Sequence, residues 1–335
     1  MKTMRVMEAT GAGLDHLELV ERPVPEPGPG EAQVRIRAAT LNYRDALIIE
    51  GRVPVGRATF VPLSCGCGEV TAVGPDVTRV RVGERVAPTF FQGWVSGPWP
   101  FGRSAPALGG PVDGVAREFA CFREDGLVKV PDSLSDLEAA TLPCAGLTAW
   151  NGLFVCRVTR PGDVVLLQGT GGVSIAGLQL AKAAGAVVVI TSSSDAKLAR
   201  ARSLGADHVI NYRAVPRWGE RARDLTGGRG VDVVLEVGGA ETIPQSFSAL
   251  RRGADIAAIG LLAGTPAWQV DVPEHRLHRI RVGNGEQFDD MLRGIQATGI
   301  RPVVDRAYPL GRLADAVRAL RTGAMFGKIG IDVTQ

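Results

Sequence analysis

The stretch that decides the fold is Val164-Val165-Leu166-Leu167-Gln168-Gly169-Thr170-Gly171-Gly172-Val173-Ser174, in which an apolar run meets a glycine-rich turn. Residues 175–184 follow with the Ala- and Leu-rich pattern of a helix. A strand, a glycine turn and a helix N-terminus form the unit that holds a dinucleotide pyrophosphate. Glycine lets the backbone approach the phosphates, and the first N–H groups of the helix carry partial positive charge. Ser174 replaces the third glycine of the pattern, so the assignment depends on the surrounding sequence.

Apolar segments and helical patterns alternate from residue 164 to residue 282. Apolar strands of this kind are typical of a parallel sheet that helices cover on both faces. The predicted strands are 164–167, 187–190, 208–210, 231–235, 255–259 and 278–282. The predicted helices between them are 175–184, 195–204, 218–225 and 242–250. The order predicts a doubly wound nucleotide-binding domain, and the alternative is an α/β domain that binds no nucleotide.

Bulk properties exclude several classes of partner. A chain of 335 residues predicts two domains. The net charge of +3 comes without a basic run, so we expect neither nucleic acid nor an anionic membrane surface as a partner. No apolar stretch reaches membrane-spanning length, and the N-terminus has no signal-peptide core. The five cysteines form no disulfide framework, which predicts a reducing, cytoplasmic location.

The first part of the chain has a different character. Residues 1–130 are rich in Gly, Pro and Val, with short alternating segments at 32–37 and 68–73. This pattern predicts an all-β domain, of which a small barrel is one form. The segment 88–111 has no periodicity and predicts either a pocket-lining loop or a loop that covers the barrel. Its aromatic residues are Phe90, Phe91, Trp94, Trp99 and Phe101.

Motifs along nearly the whole chain resemble one known family. They are Leu41-Asn42-Tyr43-Arg44-Asp45, the segments 74–86, 139–150 and 204–212, the glycine turn, and Phe326-Gly327-Lys328. The chain is similar to a medium-chain dehydrogenase/reductase of the zinc-independent, quinone-oxidoreductase-like branch. The resemblance implies an α/β two-domain fold, a GroES-like β-barrel domain plus a Rossmann doubly wound parallel sheet. The first domain would be residues 1–130, completed by 285–335, the second 131–284, and the active site would lie in the cleft between them.

The resemblance also predicts that no zinc is bound. Zinc members of the family use Cys, the His of a Gly-His-Glu motif and a second Cys, and a catalytic zinc needs three such ligands. Here those positions are Asn42, Ser64 and Cys144, so only the last could bind zinc. Cys65 and Cys67 lie beside the second position, and with Cys144 they could form a rearranged thiolate site. The alternative is that these cysteines are small buried residues.

The end of the second predicted strand indicates the cofactor. NAD-selective domains place an acidic residue there, on the ribose 2′-hydroxyl. The sequence has Ser192-Ser193-Ser194 instead, with Ser193 at or next to the acidic position. The resemblance implies that Lys197 and Tyr212 bind a 2′-phosphate, so we expect NADPH rather than NADH. Asp195 is compatible with this, because it can be a helix N-cap that faces away. The alternative is that residues 192–194 are an ordinary capped turn and Lys197 is a surface lysine.

The predicted reaction follows from the missing zinc. Without a Lewis acid, hydride transfer from the nicotinamide favours conjugated acceptors, whose developing negative charge hydrogen-bond donors can stabilise. The expected substrate is therefore a quinone or an α,β-unsaturated carbonyl compound. By resemblance, Asn42 and Asp45 lie beside the nicotinamide, with Asn42 as a donor. Tyr43 is either a proton or hydrogen-bond donor or a core aromatic, and Asp45 is either catalytic or a structural partner of Arg44 or a backbone N–H.

A larger set of residues is expected to contact the cofactor, from the resemblance and from positions at strand ends. Lys328 belongs to this set either through the cofactor phosphates or, alternatively, only as a cap on the sheet. The predicted cofactor-binding residues are Thr148, Gly169, Thr170, Gly171, Gly172, Val173, Ser174, Ser192, Ser193, Lys197, Tyr212, Val237, Gly238, Gly260, Leu261 and Lys328.

The leading hypothesis is an NADPH-dependent oxidoreductase that acts on a quinone or enone without zinc. The alternatives are an enoyl reductase of a biosynthetic pathway, a zinc-type alcohol dehydrogenase, and a nucleotide-binding protein without turnover. The resemblance also implies a homodimer, with residues 278–283 as a candidate edge strand for pairing.

Overall fold

The computed structural model describes residues 2–100, 105–260 and 276–335. Its strands are β1 (Thr3–Ala9), β2 (Leu17–Pro23), β3 (Glu31–Thr40), β4 (Cys65–Val73), β5 (Arg85–Pro88), β6 (Phe119–Arg123), β7 (Leu127–Lys129), β8 (Val164–Leu167), β9 (Val187–Ser192), β10 (His208–Asn211), β11 (Val231–Glu236), β12 (Leu250–Ala258), β13 (Arg276–Arg279), β14 (Val304–Pro309) and β15 (Lys328–Asp332). Its helices are α1 (Tyr43–Ile49), α2 (Asp136–Ala140), α3 (Leu147–Trp150), α4 (Gly172–Ala183), α5 (Asp195–Ser203), α6 (Trp218–Asp224), α7 (Ile243–Ala249), α8 (Gly285–Thr298) and α9 (Leu313–Arg321). No helix in these ranges is both long enough and apolar enough to cross a membrane.

The chain divides into two compact units. The first consists of Met1–Leu147 and Asn284–Gln335, and the second of Thr148–Gly283. Residues 131–147 therefore stay with the first unit, whereas the sequence placed a boundary at 131. Two contacts explain the difference. Thr40 Oγ1 in β3 donates to Ala140 O at 2.7 Å, and Arg85 in β5 donates to Asp136 Oδ1 at 2.7 Å, so α2 is fixed to the β-sheet.

The first unit is built around a mostly antiparallel sheet. Its strand order is β14-β15-β3-β4-β5-β7, with β6 paired to β3, and β1 and β2 form a separate hairpin. Side chains alternate along β3, where Val34 and Ile36 are buried and Arg35 and Arg37 are exposed, so one face supplies the core. The C-terminal strand β15 pairs with the end of β3 and thereby brings the last residues of the chain to Thr40.

The second unit contains a six-stranded parallel sheet in the order β10-β9-β8-β11-β12-β13. This confirms the predicted doubly wound sheet, although the sixth strand ends at Arg279 rather than at residue 282. Every residue of β8 and β11 is buried, as expected for central strands that are covered on both faces. The strand order reverses between β8 and β11, and nucleotides bind at the carboxyl ends of the strands at such a point.

The aromatic segment between β5 and β6 is compact in its described part. The ring of Phe91 packs edge-on against Phe90 and Trp99, at centroid distances of 4.6 and 4.9 Å. Trp94 packs edge-on against Trp99 at 5.0 Å and is buried, as is Phe90. Phe101 lies outside the described residues. These aromatic rings therefore pack mainly on one another.

An ion cluster lies at the amino ends of the strands in the second unit. Arg157 donates to Asp163 at 2.8 Å and to Asp255 at 3.0 Å, and His278 contacts Asp255 at 2.8 Å. Burial raises the pKa of both aspartates, but their bonds to Arg157 and His278 outweigh it, so each pKa lies below its ordinary value of 3.8.

We expect the free energy of unfolding of the second unit to fall as the pH drops below about 4. A depressed carboxyl pKa contributes stability that is complete above the unfolded-state value and is lost as the pH falls through the folded-state value. Urea unfolding as a function of pH measures this slope. In the Arg157→Met variant the slope should be shallower, and an unchanged slope would contradict the assignment to this cluster.

Candidate functional site

The first candidate site surrounds Asn42, the residue before α1. The Asn42 backbone N–H donates to Asp45 Oδ2 at 2.8 Å, so the carboxylate of the first helical turn fixes the residue that precedes the helix. Ser64 Oγ donates to the other oxygen, Asp45 Oδ1, at 3.0 Å. The Asn42 amide donates through Nδ2 to Ser64 Oγ and Cys65 Sγ, at 3.0 Å each. All four side chains are buried, so α1 and the start of β4 hold one orientation of the amide.

Lys328, the first residue of β15, completes this site. Its Nζ donates to Leu41 O and, at 2.5 Å, to Asn42 Oδ1, while the side chain is only 5% exposed. An ammonium group can only donate, so it defines Oδ1 of Asn42 as the acceptor and leaves Nδ2 as the donor. We call Asn42, Asp45, Ser64, Cys65 and Lys328 the Asn42 cluster.

Burial and charge shift the titration of this cluster. Burial raises the pKa of the Asp45 carboxyl, against the opposing effects of Arg44, the Asn42 N–H and Lys328. Burial also acts to raise the pKa of the Cys65 thiol, but the Cys144 thiol, the Lys328 charge and the Asn42 amide together lower it. The pKa of Cys144 is raised by its hydrogen bond to Cys65 and by burial. The two pKa values therefore shift in opposite directions, which favours ionisation of Cys65 over Cys144.

Tyr43 is not brought into the Asn42 cluster. Its hydroxyl accepts a hydrogen bond from Arg321 in α9, whose guanidinium also lies 5.0 Å from the centre of the tyrosine ring. Asp45 has the structural partners that the sequence left open, because Arg44 Nη1 lies 3.4 Å from it and the Asn42 N–H donates to it. Asp45 also positions Ser64, so it orders the site as well as the helix.

The glycine-rich turn has the geometry that a pyrophosphate needs. Gly169 adopts φ 69°, and Gly171 precedes α4 with no side-chain hydrogen bond to cap the helix. The first amide groups of a helix have no partner within it, so they can bind an anion. Ser174, at the third glycine position, is buried and donates through Oγ to Gln168 O at 2.6 Å. The close packing of helix on strand is provided by Gly177 instead, where an added Cβ would lie 2.9 Å from Leu235 Cδ1.

The ends of β8 and β11 are tied together by a buried polar pair. Gln168 Nε2 donates to Glu236 Oε2 at 2.6 Å, and Gln168 Oε1 accepts from the Val237 and Gly238 N–H groups at 3.1 and 3.2 Å. Glu236 Oε1 accepts from the N–H groups of Gly238 and Gly239 at 2.9 Å each. Gln168 and Glu236 thus fix the backbone of Val237 and Gly238, two residues predicted to contact the cofactor. Neither Gln168 nor Glu236 was predicted from the sequence.

The residues predicted for the 2′-phosphate gather at the ends of β9 and β10. The Tyr212 N–H donates to Ser192 O at 3.1 Å, and the tyrosine side chain is 40% exposed. Lys197 lies in the first turn of α5, where its N–H donates to Ser194 Oγ at 3.4 Å. Ser194 is therefore the N-cap, and the suggestion that Asp195 caps the helix was wrong, because Asp195 Oδ1 accepts instead from Asn211 Nδ2 at 2.8 Å.

The other predicted cofactor contacts fall into different places. Thr148 is buried in α3. Gly260 follows β12, where an added Cβ would overlap Val237 O, so only glycine fits between the two strand ends. Leu261 lies outside the described residues. Lys328, expected among the cofactor contacts, belongs to the Asn42 cluster in the first unit.

The Asn42 cluster does not fit a zinc ion. Zinc ligands must direct lone pairs at the metal. The Asn42 Nδ2 group instead directs N–H bonds at Ser64 and Cys65, and a second cation at Lys328 would repel a metal ion. Among the described residues, no group of three His, Cys, Asp or Glu side chains is placed to hold a metal. The donor chemistry fits hydrogen bonding to an oxygen anion better than metal binding.

The structure shows functional residues that sequence reasoning missed. Gln168 and Glu236 could have been found, because each is a polar residue at the end of an otherwise apolar strand. Thr191, whose Oγ1 accepts from the Gly169 N–H at 3.3 Å, offered no comparable signal. Arg321 offered none either, since its contact with Tyr43 spans 278 residues.

Comparison with known families assigns both units. A family described as alcohol dehydrogenase GroES-like domain matches residues 28–132, and one described as zinc-binding dehydrogenase matches residues 172–296. The second match includes none of Asn42, Ser64 and Cys144, the positions discussed for zinc. These matches and the observed architecture confirm the two-domain α/β fold, with a GroES-like domain and a Rossmann-like parallel sheet.

Individual relatives span the whole chain. A zinc-type alcohol dehydrogenase-like protein of Schizosaccharomyces pombe is 41% identical, over 96% of both chains. The structure of a candidate alcohol dehydrogenase from Sinorhizobium meliloti is 40% identical, covers 99% of both chains and has a TM-score of 0.91. Two mycobacterial structures, one of a quinone oxidoreductase and one with bound NADPH, are 29% and 28% identical, with TM-scores of 0.81 and 0.80. Each covers 98% of this chain and 99% of its own.

Proposed function

The chain belongs to the medium-chain dehydrogenase/reductase superfamily of oxidoreductases, and we propose that it is a zinc-independent, NADPH-dependent reductase of quinones or α,β-unsaturated carbonyl compounds. One observation carries the proposal. The buried Lys328 ammonium is hydrogen-bonded to Asn42, so a fixed positive charge and an oriented amide occupy the positions at which zinc relatives would hold a metal. The names of the relatives include both zinc-type dehydrogenases and a quinone oxidoreductase, so the residues of this chain must decide between them.

The cluster can stabilise the charge that develops on an acceptor oxygen. Bound NADPH supplies the hydride, and in a conjugated acceptor the resulting negative charge appears on oxygen. Among the described residues, two acceptors are assigned to the Lys328 ammonium, which has three N–H groups, so one N–H can donate to that oxygen. Asp45 and Ser64 hold the cluster in place before substrate binds, and donors fixed in advance stabilise a transition state without reorganisation.

The segment next to this cluster favours bulky acceptors. Arg44, adjacent to Asp45, donates to Leu108 O at 2.9 Å and lies 4.9 Å from the centre of the Phe90 ring. The aromatic segment is thereby fixed to α1, and rings near the site favour an aromatic or extended acceptor. An α,β-unsaturated acyl thioester belongs to the same chemical class and should be assayed beside quinones and enones.

We expect the purified protein to oxidise NADPH with quinones or enones, to contain no stoichiometric zinc and to be insensitive to chelators. The physical reason is the donor set at Asn42 and Ser64, which directs N–H and O–H groups where a metal would need lone pairs. Elemental analysis of the protein and assays with and without a chelator measure this. One tightly bound zinc whose removal abolishes alcohol oxidation would establish the zinc-type alcohol dehydrogenase instead.

NADPH should bind more tightly than NADH, and Lys197→Ala should weaken NADPH binding by roughly tenfold with little effect on NADH. A hydrogen bond to a charged group contributes about 1.5–3 kcal/mol, which corresponds to a factor of ten or more in the dissociation constant. Fluorescence titrations with both nucleotides provide the measurement.

Lys182→Ala is the matched control for that variant. Lys182 lies on α4 and contacts Asp207 at 2.8 Å, so its removal should leave both dissociation constants unchanged. Equal binding of the two nucleotides by the unaltered protein would mean that the turn at Ser192–Ser194 does not select a 2′-phosphate. Nucleotide binding without oxidation by any acceptor of a broad panel would support a nucleotide-binding protein without turnover.

We also propose that the protein is a cytoplasmic homodimer. β13 is the last strand in the order of the described sheet, and Leu277 on it is 40% exposed, so its outer edge can pair with a second copy. The cysteines are all free, as expected in a reducing compartment. Light scattering measures the mass in solution, and the mass of a monomer would contradict the proposed dimer.

A further inference from the structure

Arg44, the second residue of α1, has hydrogen-bond donors that the Asn42 cluster does not use. Its Nη1 donates to Leu108 O at 2.9 Å and lies 3.4 Å from Asp45 Oδ1. Among the described residues no hydrogen bond uses its Nε or Nη2, and neither atom is sealed from solvent. The side chain is 28% exposed, so this part of the guanidinium group is open to a small molecule.

The open donors have the geometry of a carboxylate site. A guanidinium group is planar, and its Nε–H and one N–H of Nη2 point along the same edge, where the two oxygens of a carboxylate can accept both. The bond from Nη1 to Leu108 and the Phe90 ring, whose centre is 4.9 Å from the guanidinium, fix that edge before a ligand binds. Gly110 keeps the edge clear, because an added Cβ there would lie 3.0 Å from Nη2.

This edge lies close to the donors of the Asn42 cluster. Arg44 Nη1 is 3.4 Å from Asp45 Oδ1, which accepts from Ser64 Oγ at 3.0 Å. Ser64 Oγ in turn accepts from Asn42 Nδ2 at 3.0 Å. Three successive contacts therefore connect the guanidinium to the amide, a span that one aromatic acceptor can cover. All of these residues belong to the first unit.

The charge of this region also favours an anion. Arg44 and Lys328 are both cations, and in the described part of the chain Asp45 is the only carboxylate that forms an ion pair with either of them, the pair with Arg44. The buried ammonium of Lys328 thus has no ion-pair partner in that part of the chain. Because an unbalanced buried charge is costly, a negative charge on the ligand would stabilise the complex.

We infer that the acceptor carries a carboxylate at the end remote from its conjugated carbonyl group, and that Arg44 determines this specificity by binding the carboxylate through Nε and Nη2. The inference rests on the proposed reduction of conjugated acceptors and narrows it to acidic members of that class. The carboxylate is far from the reacting carbons, so its contact with Arg44 is the same in the ground state and in the transition state. Such uniform binding lowers KM and leaves kcat unchanged.

The experiment compares the meta- and para-carboxylates of benzylideneacetone with their methyl esters, at saturating NADPH. Each acid and its ester share the same enone and nearly the same shape, and differ mainly in charge. We expect at least one acid to have a KM roughly tenfold lower than its ester, and Arg44→Met to abolish this difference. The variant also loses the contacts of Arg44 with Leu108 and Asp45, but that loss affects acid and ester alike. The ratio of the two KM values therefore isolates the carboxylate contact.

Arg52→Met is the matched control. Arg52 follows α1 in the same unit and is exposed, with its Nη1 4.0 Å from Glu50, so the KM ratio should equal that of the unaltered protein. Arg44→Lys keeps the charge but loses the planar edge, so its ratio should fall between those of arginine and methionine. Added salt should raise the KM of the acid but not that of the ester, which tests the contact in the unaltered protein whatever the stability of the variants.

Two results would overturn the inference. One is equal KM values for acid and ester in the unaltered protein with both isomers, and the other is a preference for the acid that survives in folded Arg44→Met. Failure of the proposed function is seen separately, because no acceptor then oxidises NADPH. Calorimetric titration with the saturated ketone products of the two acids still tests the site in that case. Binding that Arg44→Met weakens by roughly tenfold would support the carboxylate site, and absent or unchanged binding would remove it.

Discussion

Replacing Lys328 by methionine is expected to lower kcat for quinone or enone reduction by roughly 100- to 1,000-fold. Removal of one donor to a developing oxyanion has an effect of about this size in other enzymes. Methionine retains most of the buried chain volume but removes both the charge and the bond to Asn42 Oδ1. Steady-state kinetics with saturating NADPH give kcat, and fluorescence titration shows whether NADPH binding is unchanged. Loss of cofactor affinity with kcat preserved would return Lys328 to the cofactor-binding set.

Two control measurements keep this result interpretable. Tyr43→Phe changes a neighbour of Asn42 whose hydroxyl is bound by Arg321 outside the cluster, so kcat should remain within a factor of about three. A much larger loss would restore Tyr43 as a catalytic donor. Thermal unfolding of Lys328→Met shows whether the buried substitution leaves the first unit folded. A folded Lys328→Met variant with full activity would contradict the proposed role of the ammonium group.

Replacing Glu236 by alanine is expected to destabilise the second unit by about 3–5 kcal/mol and to weaken NADPH binding. Glu236 accepts hydrogen bonds from the side chains of Gln168, Thr242 and Ser246 and from the N–H groups of Gly238 and Gly239. Without the carboxylate, the Ser246 hydroxyl and the Gly239 N–H lose their acceptor. Gln168, Thr242 and Gly238 each lose one of two acceptors, so the turn after β11 loses its anchor. Urea unfolding measures the loss, and hydrogen exchange of the β8 and β11 peptides locates it.

Glu236→Gln and Glu220→Ala are the matched variants. Glutamine keeps one carbonyl acceptor, so its destabilisation should be smaller than that of alanine. Glu220 is an exposed carboxylate on α6 of the same unit, paired with Arg217, and its removal should change stability by no more than about 0.5 kcal/mol. If Glu236→Ala unfolds like the Glu220 control, the buried pair with Gln168 does not order the strand ends.

The sequence predicted the second unit well because its determinants are local. Strands such as β8 and β11 are continuous apolar runs, and the glycine turn and α4 follow β8 directly, so periodicity and spacing were sufficient. The boundary at Thr148 was not local, because it depends on contacts such as that of Thr40 with Ala140, a hundred residues apart. The cap of α5 was misjudged because Ser194 and Asp195 are equally good capping residues, and only the bond from Asn211 to Asp195 separates them.

The sequence by itself determined the Rossmann-like parallel sheet, and from Asn42 and Ser64 it predicted that no zinc is bound. The tertiary structure alone decided what those residues do. Lys328 meets Asn42 across 286 residues, because β15 pairs with β3. Local patterns determine which face of an element is buried, but the partner of a buried polar group depends on which distant element packs there.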